Sequence, residues 1–314
     1  MSFYNEERKN AFIQERIDTV KISVPSVKAL FNETNLFETR YAKDCCEWTT
    51  TEIINFLKYL NSGAIDGLRY KLSTLKIYTD WCMNHFLVSD NQNHYLEITS
   101  NILMNCVNPI VVKNLRLSYD QMQSILESLI NPSDQFIMLA LYEGINGFQC
   151  GEITSARIGM FDKDKKEMHT SEGRIIPVSD KLIGYAEESV DEYKYYTFSG
   201  DESNVLELYG DEDLIVKYFP NRVDTSPDKL RRGIHTRLKR MLDYCGLYKR
   251  INIKNIVESG RMHSIETVVK EKGMSGIEEF FTYPELIQDN EYIYGSIRNR
   301  KEYVMIYREF ISAV

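Results

Sequence analysis

The sequence lacks any cysteine pattern that would bind a metal or cross-link a small fold. Its six cysteines are scattered along 314 residues, with no CxxC pair and no cysteine and histidine cluster at metal-ligating spacing. This distribution is typical of free, mostly buried thiols in a reducing compartment. We therefore predict no zinc or other metal site and no cofactor.

Long hydrophobic runs are also missing. No apolar stretch approaches the ~18 residues that a membrane helix needs, and the opening MSFYNEERKN is charged. With 43% hydrophobic and 27% charged residues, the composition is that of a soluble globular protein, long enough for two domains. We expect a cytosolic protein that is neither exported nor inserted into a membrane.

Acidic side chains are scarce in one stretch of an otherwise acidic chain. Residues 217–254, here called the basic segment, hold 11 Lys or Arg against 3 Asp. The segment therefore carries a formal charge of +8, and the other 276 residues carry −16, which together give the total of −8. A concentrated basic patch on an acidic protein indicates a polyanion bound at one face.

The centre of the basic segment is predicted to be a helix over 227–245. Ser226 suits the N-cap, Pro227 the first helical position, and Gly246 can end the helix. One side of this helix is apolar and is formed by Leu230, Ile234, Leu238, Met241, Leu242 and Cys245. The opposite side is formed by Lys229, Arg232, Thr236, Lys239 and Arg240. A solvated surface is the alternative to a phosphate-contacting one, although ordinary solvated faces mix both signs of charge.

Residues 1–105 are predicted to be all helical. Thr49 and Glu52 form a capping box at the start of one helix, and the next helix spans 67–84. The polar face of that second helix is a weaker copy of the basic patch, with a plain solvated surface as the alternative. Its residues are Arg69, Ser73 and Lys76.

Residues 106–117 contain Pro109 and no helical period, so we predict a linker there. From residue 118 to 314 the chain is mixed. Two helices are followed by a β-rich piece over 153–177, in which Gly173 marks a hairpin turn.

Residues 187–213, the acidic segment, hold 10 carboxylates against Lys194, interleaved with tyrosines. Such a run cannot lie against DNA, so we predict a solvated insertion facing away from the basic patch. A surface that binds a regulatory phage or host protein is the alternative. At the C-terminus, one apolar helix face either closes its own core or docks on a neighbour. It is formed by Tyr303, Tyr307, Phe310, Ile311 and Val314.

The order of these elements resembles the tyrosine recombinases, the phage integrase group. FIMLALYEGINGFQCGEIT resembles the family's helix pair ending in G-L-R-x-S-E-L, RIIPVSDKLI resembles the end of its β-hairpin, and RLKRMLDYCGLYKRINIKNI resembles the approach to its H-x-L-R-H box. The resemblance implies an α+β fold, mainly α with a small β-sheet. It comprises a SAM-like helical core-binding domain (1–105), a linker (106–117) and an integrase catalytic-like domain (118–314).

Two catalytic positions of that family are changed. When Glu152 is aligned with the motif's glutamate, Gln149 stands at the first arginine. In the second box, Lys254 stands at the first His or Lys and Val257 at the second arginine. Those arginines clamp the scissile phosphate, a role that an amide and an isopropyl group cannot fill. We predict a protein that is not an enzyme; the alternative is an active, divergent integrase in which Arg157 or Arg261 serves as the clamp.

A recombinase fold that binds DNA without cutting it resembles the MrpR family, master repressors of the lytic cycle in SPβ-like Bacillus prophages. The opening MSFYNEERKNAFI also resembles that group. The resemblance implies a sequence-specific repressor that maintains lysogeny by binding double-stranded phage operators in the bacterial cytoplasm, at the nucleoid, as a monomer or a dimer. A third hypothesis, a protein-interaction adaptor acting through the acidic segment, requires no DNA binding.

The DNA-contacting residues predicted from the sequence are cations and hydroxyls of both domains. They are Arg69, Ser73, Lys76, Arg174, Arg222, Lys229, Arg232, Thr236, Lys239, Arg240, Lys249, Arg250 and Lys254.

Overall fold

The computed structural model describes residues 3–19, 23–88, 92–197, 205–219, 226–247, 251–288, 297 and 300–308. The chain forms two compact units, 1–113 and 114–314. The fold is mainly helical with small antiparallel sheets, as the sequence predicts. In the described part of the chain, no helix is both long and apolar enough to cross a membrane.

The described residues of the N-terminal unit are helical or irregular. The helices are α1 (Glu6–Thr19), α2 (Val24–Tyr41), α3 (Thr50–Tyr59), α4 (Ile65–Asn84), α5 (Ser100–Met104) and α6 (Pro109–Asn114). The predicted capping box is present at the start of α3, where the Thr49 side chain accepts from the Glu52 N–H. It satisfies backbone donors that the first helical turn leaves without partners.

An aromatic cluster holds the N-terminal unit together. Phe31 packs edge-on against Phe12 and Tyr78, with ring centroids 6.1 and 5.0 Å apart. Beside them lies a fully buried ion pair between Lys9 and Glu38. Such a pair costs desolvation and fixes α1 on α2 by geometry more than by net energy.

The predicted linker is partly helical, so the expectation of an irregular segment over 106–117 is wrong for α6. Pro109 begins α6, where its missing N–H costs no hydrogen bond. The Asn108 side chain accepts from the Ile110 N–H at 2.8 Å and caps the first turn. These local contacts make a short helix that has too few turns to show a period in the sequence. The boundary between the two compact units falls after residue 113, inside this segment.

The C-terminal unit contains nine described helices and five short strands. The helices are α7 (Tyr119–Ser128), α8 (Pro132–Tyr142), α9 (Gly151–Thr154), α10 (Asp180–Val190), α11 (Pro227–Tyr244), α12 (Ile253–Glu271), α13 (Ile277–Phe280), α14 (Pro284–Gln288) and α15 (Arg300–Tyr307). The strands are β1 (Phe161–Asp162), β2 (Glu167–His169), β3 (Ile175–Pro177), β4 (Lys194–Tyr196) and β5 (Val205–Glu207).

Strands β1, β2 and β3 form an antiparallel sheet in that order, with Met168 paired to both Phe161 and Ile176. Gly173 makes the β2–β3 turn at φ 81°, as predicted, because glycine adopts positive φ without strain. The β-rich piece is shorter than the predicted 153–177, since its first residues belong to α9.

Helix α8 is the centre of the C-terminal unit. It is buried along its whole length and packs against α7, α10, α11 and α12. Gly260 lies where α12 crosses α8, and a Cβ built on it would lie 1.6 Å from the Tyr142 carbonyl oxygen. Only a glycine permits the two backbones to come this close.

The acidic segment is only in part the solvated insertion that its composition predicts. Its described carboxylates are exposed except for Glu192, but the segment is also anchored in the core. Its residue Tyr195, on β4, is fully buried, and Glu192 is nearly so. The Asn131 side chain bonds both the N–H and the C=O of Tyr196, at 2.8 and 2.9 Å. The alternation of strand residues sends one tyrosine into the core and leaves charged neighbours outside, which a count of charges does not reveal.

Helix α15 closes the core of its own unit. Tyr303 is buried in a cluster with Met262 and Ile265 of α12, and Tyr307 packs at its edge. Of the predicted apolar terminal face, Phe310, Ile311 and Val314 lie outside the described residues.

Candidate nucleic-acid interface

Helix α11 has the two faces predicted from the sequence. Ile234, Leu238, Met241 and Leu242 are buried, and Leu230 and Cys245 are half-buried. The predicted polar face is exposed at all five positions, namely Lys229, Arg232, Thr236, Lys239 and Arg240. The Thr236 hydroxyl donates to the Arg232 carbonyl. The four cations therefore stand on one solvent-facing surface of the helix.

Among the described cations of the basic segment, Arg237 and Lys217 lie inside the protein and add nothing to its surface charge. Arg237 donates from Nε to Asp134 Oδ1 at 2.8 Å, and the Tyr195 ring lies 4.9 Å from its guanidinium carbon. Lys217 donates to backbone carbonyls, including those of Val190 and Leu214. Burial lowers the pKa of Lys217. The surface patch is thus smaller than the formal charge of +8 implies.

A cavity of about 910 Å³ opens beside the exposed face of α11. One wall is a ridge of α11 and another is a ridge of α12, and the loop 146–150 closes the end. The α11 ridge carries Arg231, His235 and Lys239, and the α12 ridge carries Lys254, Val257 and Arg261. Gln149 lies on the loop. We call this space the basic cavity.

The three residues that align with catalytic positions of the tyrosine recombinases therefore line the same cavity. Gln149, Lys254 and Val257 all line the basic cavity. Among the described residues that line it, Glu258 is the one carboxylate, and it accepts from Arg261 at 2.7 Å. Burial, and then the neighbouring Arg231 charge, lower the pKa of His235. The cavity is consequently cationic, and it suits an anion such as a phosphate.

The loop at the end of the basic cavity is held in an uncommon backbone conformation. Gln149 and Cys150 have φ of 56° and 59°, in the left-handed region, and Gly147 has φ 64°. A Cβ on Gly147 would lie 2.5 Å from Cγ of Glu152. Two consecutive non-glycine residues in that region store strain, and such strain clusters at binding sites.

Glu152 and Arg174 support this loop from beneath. Glu152 is fully buried, and its Oε1 accepts from Arg174 Nε at 2.7 Å. Its Oε2 accepts from the Asn146 N–H at 3.0 Å, and Arg174 also donates to the Gly144 carbonyl. Arg174, predicted from the sequence to contact DNA, is thus engaged in positioning the loop that carries Gln149.

A second cavity, of about 580 Å³, is lined in part by the same loop and shares Asn146, Gly147, Val257 and Arg261 with the basic cavity. Glu143 lines it. Burial raises the pKa of Glu143 to about 7, although the Ser179 N–H and hydroxyl both donate to this carboxylate. A carboxyl of this kind carries only part of its charge at neutral pH.

The other predicted contact residues belong to the N-terminal unit or lie outside the described residues. In the N-terminal unit, Arg69 pairs with Asp66 at 2.8 Å on the exposed face of α4, Ser73 is exposed and Lys76 is half-buried. Three further predicted contacts, Arg222, Lys249 and Arg250, lie outside the described residues.

The alternative clamp residues and nucleophiles are placed differently. Arg157 pairs with Asp211 and Asp213 and does not line the basic cavity, whereas Arg261 does. Of the terminal tyrosines, Tyr283 is exposed and Tyr303 is buried. Two more, Tyr292 and Tyr294, lie outside the described residues.

Sequence reasoning missed Arg231, His235 and Phe148 as residues of this site. Arg231, His235 and Lys239 follow one another at four-residue spacing, which places them on one ridge of a helix. That spacing indicates a third, cationic ridge between the two faces, which a division of the helix into one apolar and one polar half does not reveal.

Two family models match most of the chain. The model described as "MrpR, C-terminal catalytic domain" matches residues 116–304, and "MrpR, N-terminal core-binding domain" matches residues 3–84. The chain belongs to the MrpR family. Its two matched segments correspond to the two-domain layout predicted from the sequence.

A relative of this MrpR family member is the SPbeta prophage-derived uncharacterized protein YopR of Bacillus subtilis (strain 168). It is 24% identical over 281 residues, covering 84% of each chain. Among solved structures, XerA recombinase is similar with 14% identity, 97% and 98% coverage and a TM-score of 0.37. The integrase of mycobacterium phage Brujita is similar with 11% identity, 97% and 92% coverage and a TM-score of 0.31.

Proposed function

We propose that this MrpR family protein is a sequence-specific DNA-binding repressor of a prophage, which binds phage operators in the host cytoplasm without cutting them. The observation that carries the proposal is the basic cavity. It combines Lys239 and Lys254 with Gln149 and Val257 at the aligned arginine positions. Such a site can hold a phosphate by point charge and amide hydrogen bonds, yet it lacks two guanidiniums at the positions that cleavage requires.

The exposed cations of α11 extend this site along the helix. Lys229, Arg232 and Arg240 stand on the same solvent-facing surface as Lys239. Contacts to phosphates position a protein on the duplex and supply much of its affinity, whereas base contacts give specificity. We infer that α11 sets the register of the protein on the operator.

The first test is the salt dependence of DNA binding. Lys239→Ala is expected to weaken both operator and non-specific binding and to reduce the slope of log K against log salt by about 0.9, the contribution of one phosphate. Mobility shifts across the intergenic fragments of the phage genome identify the operator, and titrations at several salt concentrations give the slope.

Lys165→Ala serves as the matched control, because Lys165 is an exposed lysine of the same unit that pairs with Asp162 on the β1–β2 turn. Its slope should equal that of the wild type. If both Lys239→Ala and Arg232→Ala left the slope unchanged, α11 would be removed from the interface.

An active recombinase is the second candidate, favoured by the position of Arg261 in the basic cavity. The phenol of Tyr303 is buried, and the Glu258 carboxylate lies close to it. Burial raises the pKa of Tyr303 well above its usual value. A phenol in this state is a poor nucleophile unless the site rearranges.

Covalent trapping separates the two candidates. With a nicked suicide operator, we expect binding but no protein–DNA adduct, and single Tyr→Phe changes at Tyr283, Tyr303 and Tyr307 should leave DNA binding intact. An adduct that disappears with one of these changes would mean that the protein is an integrase and that Arg261 serves as a clamp. Arg261→Lys should then abolish the adduct as well, because lysine cannot reproduce the bidentate guanidinium contact.

A further inference from the structure

Phe148 is an aromatic side chain held in solvent at the rim of the basic cavity. It is 78% exposed, although it lies between buried segments of the C-terminal unit. A single exposed apolar residue is ordinary on a protein surface. This one precedes Gln149 and lines the same cavity as Lys239 and Lys254, a position that packing does not explain.

The backbone around Phe148 is fixed on both sides. Its N–H donates to Glu172 Oε1 at 2.7 Å. A Cβ on the preceding Gly147 would lie 2.4 Å from the same oxygen, and the backbone of the following Gln149 is in the left-handed region at φ 56°. The buried Glu152 anchors the loop from below. These contacts fix the backbone on both sides of Phe148, so the loop sets the direction in which its Cα–Cβ bond leaves the chain.

An aromatic ring next to phosphate-holding cations is the combination that wedges into DNA. Architectural proteins insert apolar side chains between base steps beside phosphate contacts, and the bend that results brings more protein against the duplex. Pyrimidine–purine steps such as TA open most easily, and A-tracts resist. The ring of Phe148 has the exposure, the rigid support and the neighbouring charges for this role.

We propose that Phe148 is a wedge that partly unstacks one base step of the bound duplex, next to a phosphate held in the basic cavity. The proposal rests on the DNA-binding function proposed above and adds a source of specificity that needs no base hydrogen bond. Under this proposal, the affinity of the protein for a duplex depends on how easily one of its base steps unstacks.

The test uses two short duplexes that differ only in a central block, alternating TA in one and an A-tract in the other. The wild type should prefer the TA duplex by about tenfold, and 2-aminopurine placed in the TA block should brighten on binding. Phe148→Ala should bind both duplexes equally, without the brightening and with an unchanged salt slope. Phe148→Trp should retain the preference.

Ile130→Ala is the control, since Ile130 is 60% exposed in the same unit and does not line the basic cavity. It should behave as the wild type in every titration. Equal brightening and preference in Phe148→Ala and the wild type would overturn the wedge while leaving the DNA-binding proposal intact. A wild type with no salt-dependent affinity for either duplex would overturn both. Because the side chains of Phe148 and Ile130 are both exposed, the thermal unfolding midpoints of the wild type and the three variants should be the same.

Discussion

Gly260→Ala is expected to lower the free energy of unfolding of the C-terminal unit by about 3 kcal/mol or more. The new Cβ would lie 1.6 Å from the Tyr142 carbonyl oxygen, and that atom belongs to the backbone of α8. A flexible side chain could turn aside, but here one of two central helices must shift. The same shift would move Val257 and Arg261 on the wall of the basic cavity. DNA affinity should therefore fall together with stability.

The chain offers a matched control and an internal reference for this experiment. Gly184 is in the middle of α10 with nothing within 4 Å of its would-be Cβ, so Gly184→Ala should stabilise the unit by about 0.5–1 kcal/mol through helix propensity. Both tryptophans, Trp48 and Trp81, are in the N-terminal unit. The urea midpoint measured by tryptophan fluorescence should be the same in all variants. The midpoint measured by far-ultraviolet circular dichroism should fall in Gly260→Ala and rise in Gly184→Ala. An unmoved dichroism midpoint in Gly260→Ala would contradict the close approach of α8 and α12.

The second large effect concerns the buried ion pair between Asp134 of α8 and Arg237 of α11. Asp134→Ala should destabilise the C-terminal unit by about 3–5 kcal/mol, because it leaves the guanidinium of Arg237 buried without its carboxylate. Asp134 is fully buried, and Arg237 is 3% exposed and also donates to the Ser133 hydroxyl. Urea unfolding followed by circular dichroism measures the loss.

The double variant Asp134→Leu with Arg237→Met is the informative comparison. Removing both charges in favour of apolar groups should restore most of the lost stability, as in other buried pairs. Its DNA-binding salt slope should equal that of the wild type, in contrast to Lys239→Ala. A slope reduced by about one in the double variant would instead place Arg237 on a phosphate and contradict its buried position.

Much of the fold was predictable because local patterns carry it. The 3.6-residue period, Ser226 before Pro227, and the Thr49 and Glu52 capping box place α11 and α3 within a residue or two. The exposed face of α11 follows from the same period. The alignment of Gln149, Lys254 and Val257 with one functional site came from the resemblance to recombinases, and the structure brings all three to the basic cavity.

Other features depend on contacts between residues far apart in the chain. The sequence alone determined that residues 217–254 concentrate positive charge and that α11 has one charged face. Only the tertiary structure decided that Arg237 is neutralised by Asp134, 103 residues away, while Lys239 faces the cavity. The formal charge of a segment counts every ionisable residue in it. The charge at the protein surface excludes those residues that are buried and paired with an opposite charge. For the same reason composition could not show that Tyr195 of the acidic segment is a core residue or that Phe148 is displayed on a strained loop.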